Sequence, residues 1–160
     1  QLARKTQTHI RNINKLIIWG NHSTTQYPDV HHATINGQSA LERVDQDWIE
    51  NTFIPMVQNR GAEIIRARGL SSAASAASAA IDHFKDWING SADNNWVSMA
   101  LPSDGSYGVA RGIVYSFPVV CTNGSYEIVQ GLDINTFSQD CMKTTETELL
   151  TERKAIEHLL

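Results

Sequence analysis

Two of the three Asn-Gly dipeptides, Asn36-Gly37 and Asn123-Gly124, restrict the folds open to this chain more than any other feature. Asn followed by Gly readily takes the two successive left-handed residues of a tight hairpin turn, so strands on either side must run antiparallel. Ala33 to Ser39 carries the first turn with a brief strand on each side. The second joins strands over Ile113–Val120 and Tyr126–Val129, and Trp96–Leu101 reads as another strand of that group. Helical periodicity fills the intervals. From Asp45 to Arg68, Trp48, Phe53, Met56, Val57, Ile64 and Ile65 return every three or four residues, with Pro55 inside to kink or divide the helix and Gly69 to end it. Ser72 to Ile88 is a second helix, opened by Ser71 or Ser72 and closed by Asn89-Gly90. Its AASAASAAI run predicts burial by a neighbouring helix or a second subunit. A final helix is expected from about Ser138 to Leu160. Hairpin strands set among helices give an α+β fold, with helices on one side of a twisted, mostly antiparallel sheet.

The N-terminal part is less regular. Residues 2–12 read as the end of a helix, and the missing N-cap before Leu2 suggests a chain that has been cut. Lys15 to Trp19 is a short apolar strand that stops at Gly20, and Gly20 to Pro28 is a polar loop. The 160 residues amount to one domain, able to hold a core without staples. The net charge of −4 argues against a general nucleic-acid binder, and the scattered Arg4, Lys5, Arg11 and Lys15 read as a solvated face. No apolar run approaches a membrane span. Cys121 and Cys141 have no metal-type spacing and read as reduced thiols of a cytoplasmic protein.

Few residues invite chemistry. His22 follows a strand end in a Gly-led loop, where an imidazole titrating near neutrality suits proton transfer to or from an oxygen; a surface histidine without duty is the competing reading. Ser71 and Ser72 open a helix whose free N–H groups attract anions, against plain capping. His31-His32 raises the question of a metal, but no Cys or Glu stands at ligand spacing, and no metal is expected. Arg60, Arg66 and Arg68 read as a solvated face. The Asn-x-Ser triplets at Asn21, Asn89 and Asn123 fall where turns require Asn. No G-x-G-x-x-G or Walker loop is present.

Ile18–Asp29, IWGNHSTTQYPD, closely resembles the active-site histidine loop of the cytosolic-type branch of the lactate/malate dehydrogenase family. Val57–Ala62 (VQNRGA), Arg68–Ser75 (RGLSSAAS), Pro102–Gly108 (PSDGSYG), Tyr115–Pro118 (YSFP) and Val129–Leu132 (VQGL) resemble the same family in the right order. The resemblance covers essentially all 160 residues. It implies that residues 1–160 are the single substrate-binding domain of an NAD-dependent malate dehydrogenase, an enzyme of the tricarboxylic acid cycle. His22 would be the catalytic acid/base between malate and oxaloacetate. Ser72, with Ser71, would line the substrate pocket, so that the imidazole faces a dry crevice opposite a serine-led helix dipole. Gly20 and Asn21 would lie near the nicotinamide, and the helix over 72–88 would be a subunit contact of a homodimer.

The resemblance also implies what is missing from these residues. The N-terminal Rossmann domain that binds most of NAD is absent. So is an L-D-x-x-R segment, whose Asp orients the histidine and whose Arg clamps a substrate carboxylate. The 160 residues alone are therefore expected to be inactive, and NAD against NADP is not readable here. The alternatives are a lactate-type or other 2-hydroxy-acid dehydrogenase, and a non-catalytic dicarboxylate-binding or assembly module.

Overall fold

The computed structural model describes residues 1–92 and 95–159. The opening helix, α1, is only Leu2–Thr6, ended by Gln7 in a left-handed conformation, and a 3-10 turn follows over Ile10–Asn12. β1 (Ile13–Asn14), β4 (Thr34–Ile35) and β5 (Gln38–Ser39) form one small sheet, with Asn36 and Gly37 at φ 52° and 81° as their turn requires. β2 (Ile17–Trp19) pairs antiparallel with β3 (Tyr27–Asp29), so the expected loop ends sooner than its proline suggested. The reason lies on neighbouring strands. Ile18, opposite Pro28, donates its N–H to Ser98 Oγ and its carbonyl accepts from Ser116 Oγ, so the ladder needs no donor from the proline.

The third sheet is β6 (Val97–Pro102), β7 (Val114–Thr122) and β8 (Ser125–Ile128). Asn123 and Gly124, at φ 48° and 83°, turn the second hairpin. All strand pairs among the described residues are antiparallel, in three small sheets. β7 supplies the middle of the core: Tyr115, Phe117 and Val119 alternate inward and are fully buried. Trp19 meets Phe117 and Tyr107 edge-on at 6.3 and 5.0 Å. Burying side chains of this size stabilises by about 1.5–3 kcal/mol each.

The expected helix over 45–68 is divided twice. α2 (Gln46–Trp48) passes into a π-helical turn, Ile49–Phe53, and then α3 (Ile54–Gln58). Pro55 thus lies in the first turn of a new α segment, where its missing N–H costs little. Asn59 breaks the chain again before α4 (Arg60–Arg68), and Gly69 closes that helix at φ 72°. α5 (Ala73–Asn89) ends at Gly90 as expected, but the burial expected for its Ala/Ser run is not found in this chain. Only its last turns dock: Trp87 Nε1 donates to the Gly124 carbonyl at 2.7 Å and the ring meets Tyr126 edge-on. α6 (Thr136–Ile156) begins two residues earlier than read, capped by Asn135, and a 3-10 turn follows; its expected end at Leu160 lies outside the described residues.

Candidate functional site

The loop after β2 is built against one face of α6. Gly20 exchanges both backbone hydrogen bonds with Ser116 of β7 and sits at φ +92°. A Cβ there would stand 2.1 Å from Thr145 Cγ2, so glycine alone lets the loop come this close to α6. Thr145 Oγ1 accepts the Asn21 N–H at 2.8 Å. One oxygen of Glu148 accepts from Asn21 Nδ2 (3.2 Å), Ser23 Oγ (2.5 Å) and Thr25 Oγ1 (2.5 Å), and Glu152 accepts a second bond from Asn21 Nδ2. The hydroxyls of Ser23 and Thr25 hold the Glu148 carboxyl below its usual range. Residues 21, 23 and 25 are half-buried toward α6, whereas His22 and Thr24 are exposed.

The other end of the loop rests on a buried polar network. Asp29, fully buried, accepts from Trp19 Nε1 (3.0 Å), the His31 N–H (2.8 Å) and His31 Nδ1 (2.8 Å). Tyr27 Oη lies 2.8 Å from Ser138 Oγ on α6 and 3.1 Å from His31 Nδ1. Burial by itself would raise the Asp29 carboxyl, but the bonds from His31 and Trp19 outweigh it and hold the group below its usual value. The hydrogen bond to Asp29 in turn raises His31. Burial, reinforced by the Asp29 charge, raises the Tyr27 phenol far above its usual range. Midway, Gln58 Nε2 donates to the Gln26 carbonyl at 2.9 Å, tying the loop to α3.

The dry crevice expected around His22 is not formed by this chain. The side chains of Asn21, Ser23 and Thr25 bond to α6, and His22 among them is exposed. A cavity of about 470 Å³ lies elsewhere, among Tyr107, Leu132, Met142, Lys143 and Glu146. Ser72 is the N-cap residue of α5, and its side chain makes no capping bond. Ser71 is exposed, and its carbonyl accepts from Arg68 Nη1 at 3.1 Å. Arg60 pairs loosely with Glu63 at 3.4 Å on an exposed surface. His31 is turned into the Asp29 network rather than toward His32, and the described residues hold no cluster of three metal-binding side chains. The sequence reading missed Thr145, Glu148 and Glu152, although their spacing of three and then four marks one helix face.

Residues 1–160 match the family described as lactate/malate dehydrogenase, alpha/beta C-terminal domain. The chain belongs to this family. The malate dehydrogenase of Naegleria fowleri is 51% identical, with a TM-score of 0.92, over 100% of this chain and 49% of that one. A Trichomonas vaginalis lactate dehydrogenase, solved with NADH and oxamate, is 32% identical with a TM-score of 0.92, over 99% of this chain and 50% of that one. The chain thus spans about half the length of these relatives. The domain combines helices with antiparallel sheets, as its hairpins dictate, and the family is one of dehydrogenases, that is, oxidoreductases. Among the described residues no helix is long and apolar enough to cross a membrane.

Proposed function

We propose that this chain is the substrate-binding half of a malate dehydrogenase, in which His22 takes the proton from the malate hydroxyl or returns it to the oxaloacetate carbonyl. The observation that carries the proposal is the loop over residues 20–25: three half-buried side chains held by α6 leave the His22 ring alone at the exposed turn. A proton-transferring imidazole needs that combination of fixed backbone and accessible ring nitrogen. Ser72, free of a capping bond at the start of α5, would offer its hydroxyl and the helix N–H groups to a substrate carboxylate, with Ser71 beside it.

Gly20 and Asn21 already have partners within the domain. Gly20 is packed against Thr145, and the Asn21 amide is already shared by two carboxylates. In this reading NAD is bound mainly by groups outside residues 1–160, with Gly20 and Asn21 near the nicotinamide, and the part played here is chiefly that of the proton and the substrate. The 160-residue chain alone would therefore not turn over malate. A homodimer fits the exposed Ile81, Phe84 and Ile88 on α5, and its test is the molecular mass in solution.

The test of the chemistry joins this chain to a nucleotide-binding half of the family and follows NADH with malate, oxaloacetate and pyruvate. Activity on the dicarboxylates, reduced about 10³-fold or more by His22→Asn, is the expected result. An undiminished His22→Asn variant would remove the assigned role. A lactate-type enzyme is the second reading, favoured by the equally close superposition of the Trichomonas lactate dehydrogenase. Preference for pyruvate would decide for it.

A further inference from the structure

We propose that Glu148 is a positioning residue for His22, acting through the side chains of Asn21, Ser23 and Thr25; this rests on the catalytic reading of His22. A single carboxylate oxygen accepts from all three, one on the N-terminal side of His22 and two on the C-terminal side. Its neighbours on the same helix face complete the grip. Thr145, one turn before, takes the Asn21 N–H, and Glu152, one turn after, takes a second bond from the Asn21 amide. Charge-assisted bonds to one ionised oxygen are shorter and stronger than neutral ones. They are set on the middle of a 21-residue helix, a stiffer support than the loop itself.

The geometry separates holding from reacting. Alternate residues face α6, and His22, between two of the held positions, faces outward without any bond to Glu148. The carboxylate stays ionised through the neutral range in which histidines titrate, because its hydroxyl partners hold it low. Removal of Glu148 exposes hydroxyls and an amide at a half-buried edge where water can replace the lost partner. The fold therefore survives while the loop is released. Even small misplacement of a reacting group slows the chemical step, by up to about 100-fold for 1 Å.

The first measurement needs only the 160-residue chain. In Glu148→Ala, amide exchange at Asn21 and Thr25 is expected to quicken about 10-fold or more, with Phe117 and Val119 of β7 unchanged, a local opening rather than a global one. The second measurement uses the chain joined to a nucleotide-binding half of the family. There Glu148→Ala lowers kcat about 10- to 100-fold with KM within about 3-fold, and Glu148→Gln, whose amide oxygen still accepts, recovers part of the loss. Unchanged loop exchange in Glu148→Ala overturns the proposal, as does a loss carried by KM, or an equal loss in both variants. If the joined protein shows no dehydrogenase activity even with Glu148 intact, the catalytic reading of His22 falls, while the exchange data still report the grip on the loop.

Discussion

Residues 20–25 hang on α6 by side-chain bonds and a close glycine contact, whereas Ser71 and Ser72 join two helices, α4 and α5, that bury no residue. The two groups assigned to the substrate therefore have supports of opposite kind. The His22 loop takes its shape from bonds within the domain. The serines stand on an arm that leaves Ile65, Leu70, Ile81 and Phe84 between 51% and 70% exposed. Apolar surface of that extent marks a contact face, so the arm is the part whose position depends on what packs against it.

Truncating one phenylalanine in each region gives the largest expected contrast. Phe117, fully buried beside Trp19, should cost about 3–5 kcal/mol when replaced by alanine, through lost burial and the cavity left behind. Phe84→Ala, at 61% exposure, should change urea-unfolding stability by less than about 0.5 kcal/mol. Comparable losses would break the contrast and mean that α5 is covered in solution, which sedimentation would then reveal as self-association.

A glycine in each region sharpens the same point at a smaller scale. Gly20 and Gly69 both have positive φ, at 92° and 72°. A Cβ at Gly20 would collide with Thr145, while one at Gly69 meets nothing within 4 Å. Gly20→Ala should then destabilise by about 3 kcal/mol, the sum of backbone strain and overpacking. Gly69→Ala should cost about 1 kcal/mol, backbone strain alone. Equal melting shifts for the two would show that the loop does not lie against α6.

The buried Asp29–His31 pair gives the supported region a pH signature of its own. His31 is raised in the folded state, so its contribution is complete below the unfolded histidine value of about 6.5 and is lost as pH climbs through the higher folded value. Asp29 is lowered, so its contribution is complete above about 3.9 and is lost as pH falls through the lower folded value. Both act together between about pH 4 and 6.5, and the urea midpoint should fall on the alkaline side. Charge-assisted bonds of this kind contribute about 1.5–3 kcal/mol. His31→Leu should flatten that alkaline slope; an unaltered slope would place its origin elsewhere.

What could be read from the sequence was local chemistry. Asn36-Gly37, Asn123-Gly124, Gly69 and Gly90 each end or turn an element through the conformation of the residues themselves, and all four do so where expected. The histidine loop was legible as a motif, but its support was not. Thr145 and Glu148 lie 124 and 127 residues from Asn21, and helical periodicity reports only which side of α6 is apolar. Tyr27–Asp29 escaped for a similar reason, because the groups that excuse Pro28 from donating, Ser98 and Ser116, are on other strands. The Ala/Ser run was legible as a helix. Its small residues signalled a close neighbour, and no other element of this chain fills that role among the described residues.

Helix capping supplies the smallest contrast and bears most directly on Ser72. Asn135 caps α6 by accepting the Ser138 N–H at 2.8 Å, while Ser72, in the equivalent position on α5, accepts nothing. Asn135→Ala should cost about 1 kcal/mol. Ser72→Ala should change stability by only a few tenths, because no bond is lost. A serine in a capping position whose removal leaves stability intact is free to spend its hydroxyl on another partner, as the pocket role requires. If Ser72→Ala instead matched Asn135→Ala in thermal melts, the hydroxyl would be capping α5 in solution, and the carboxylate would have to find its partner elsewhere on the arm.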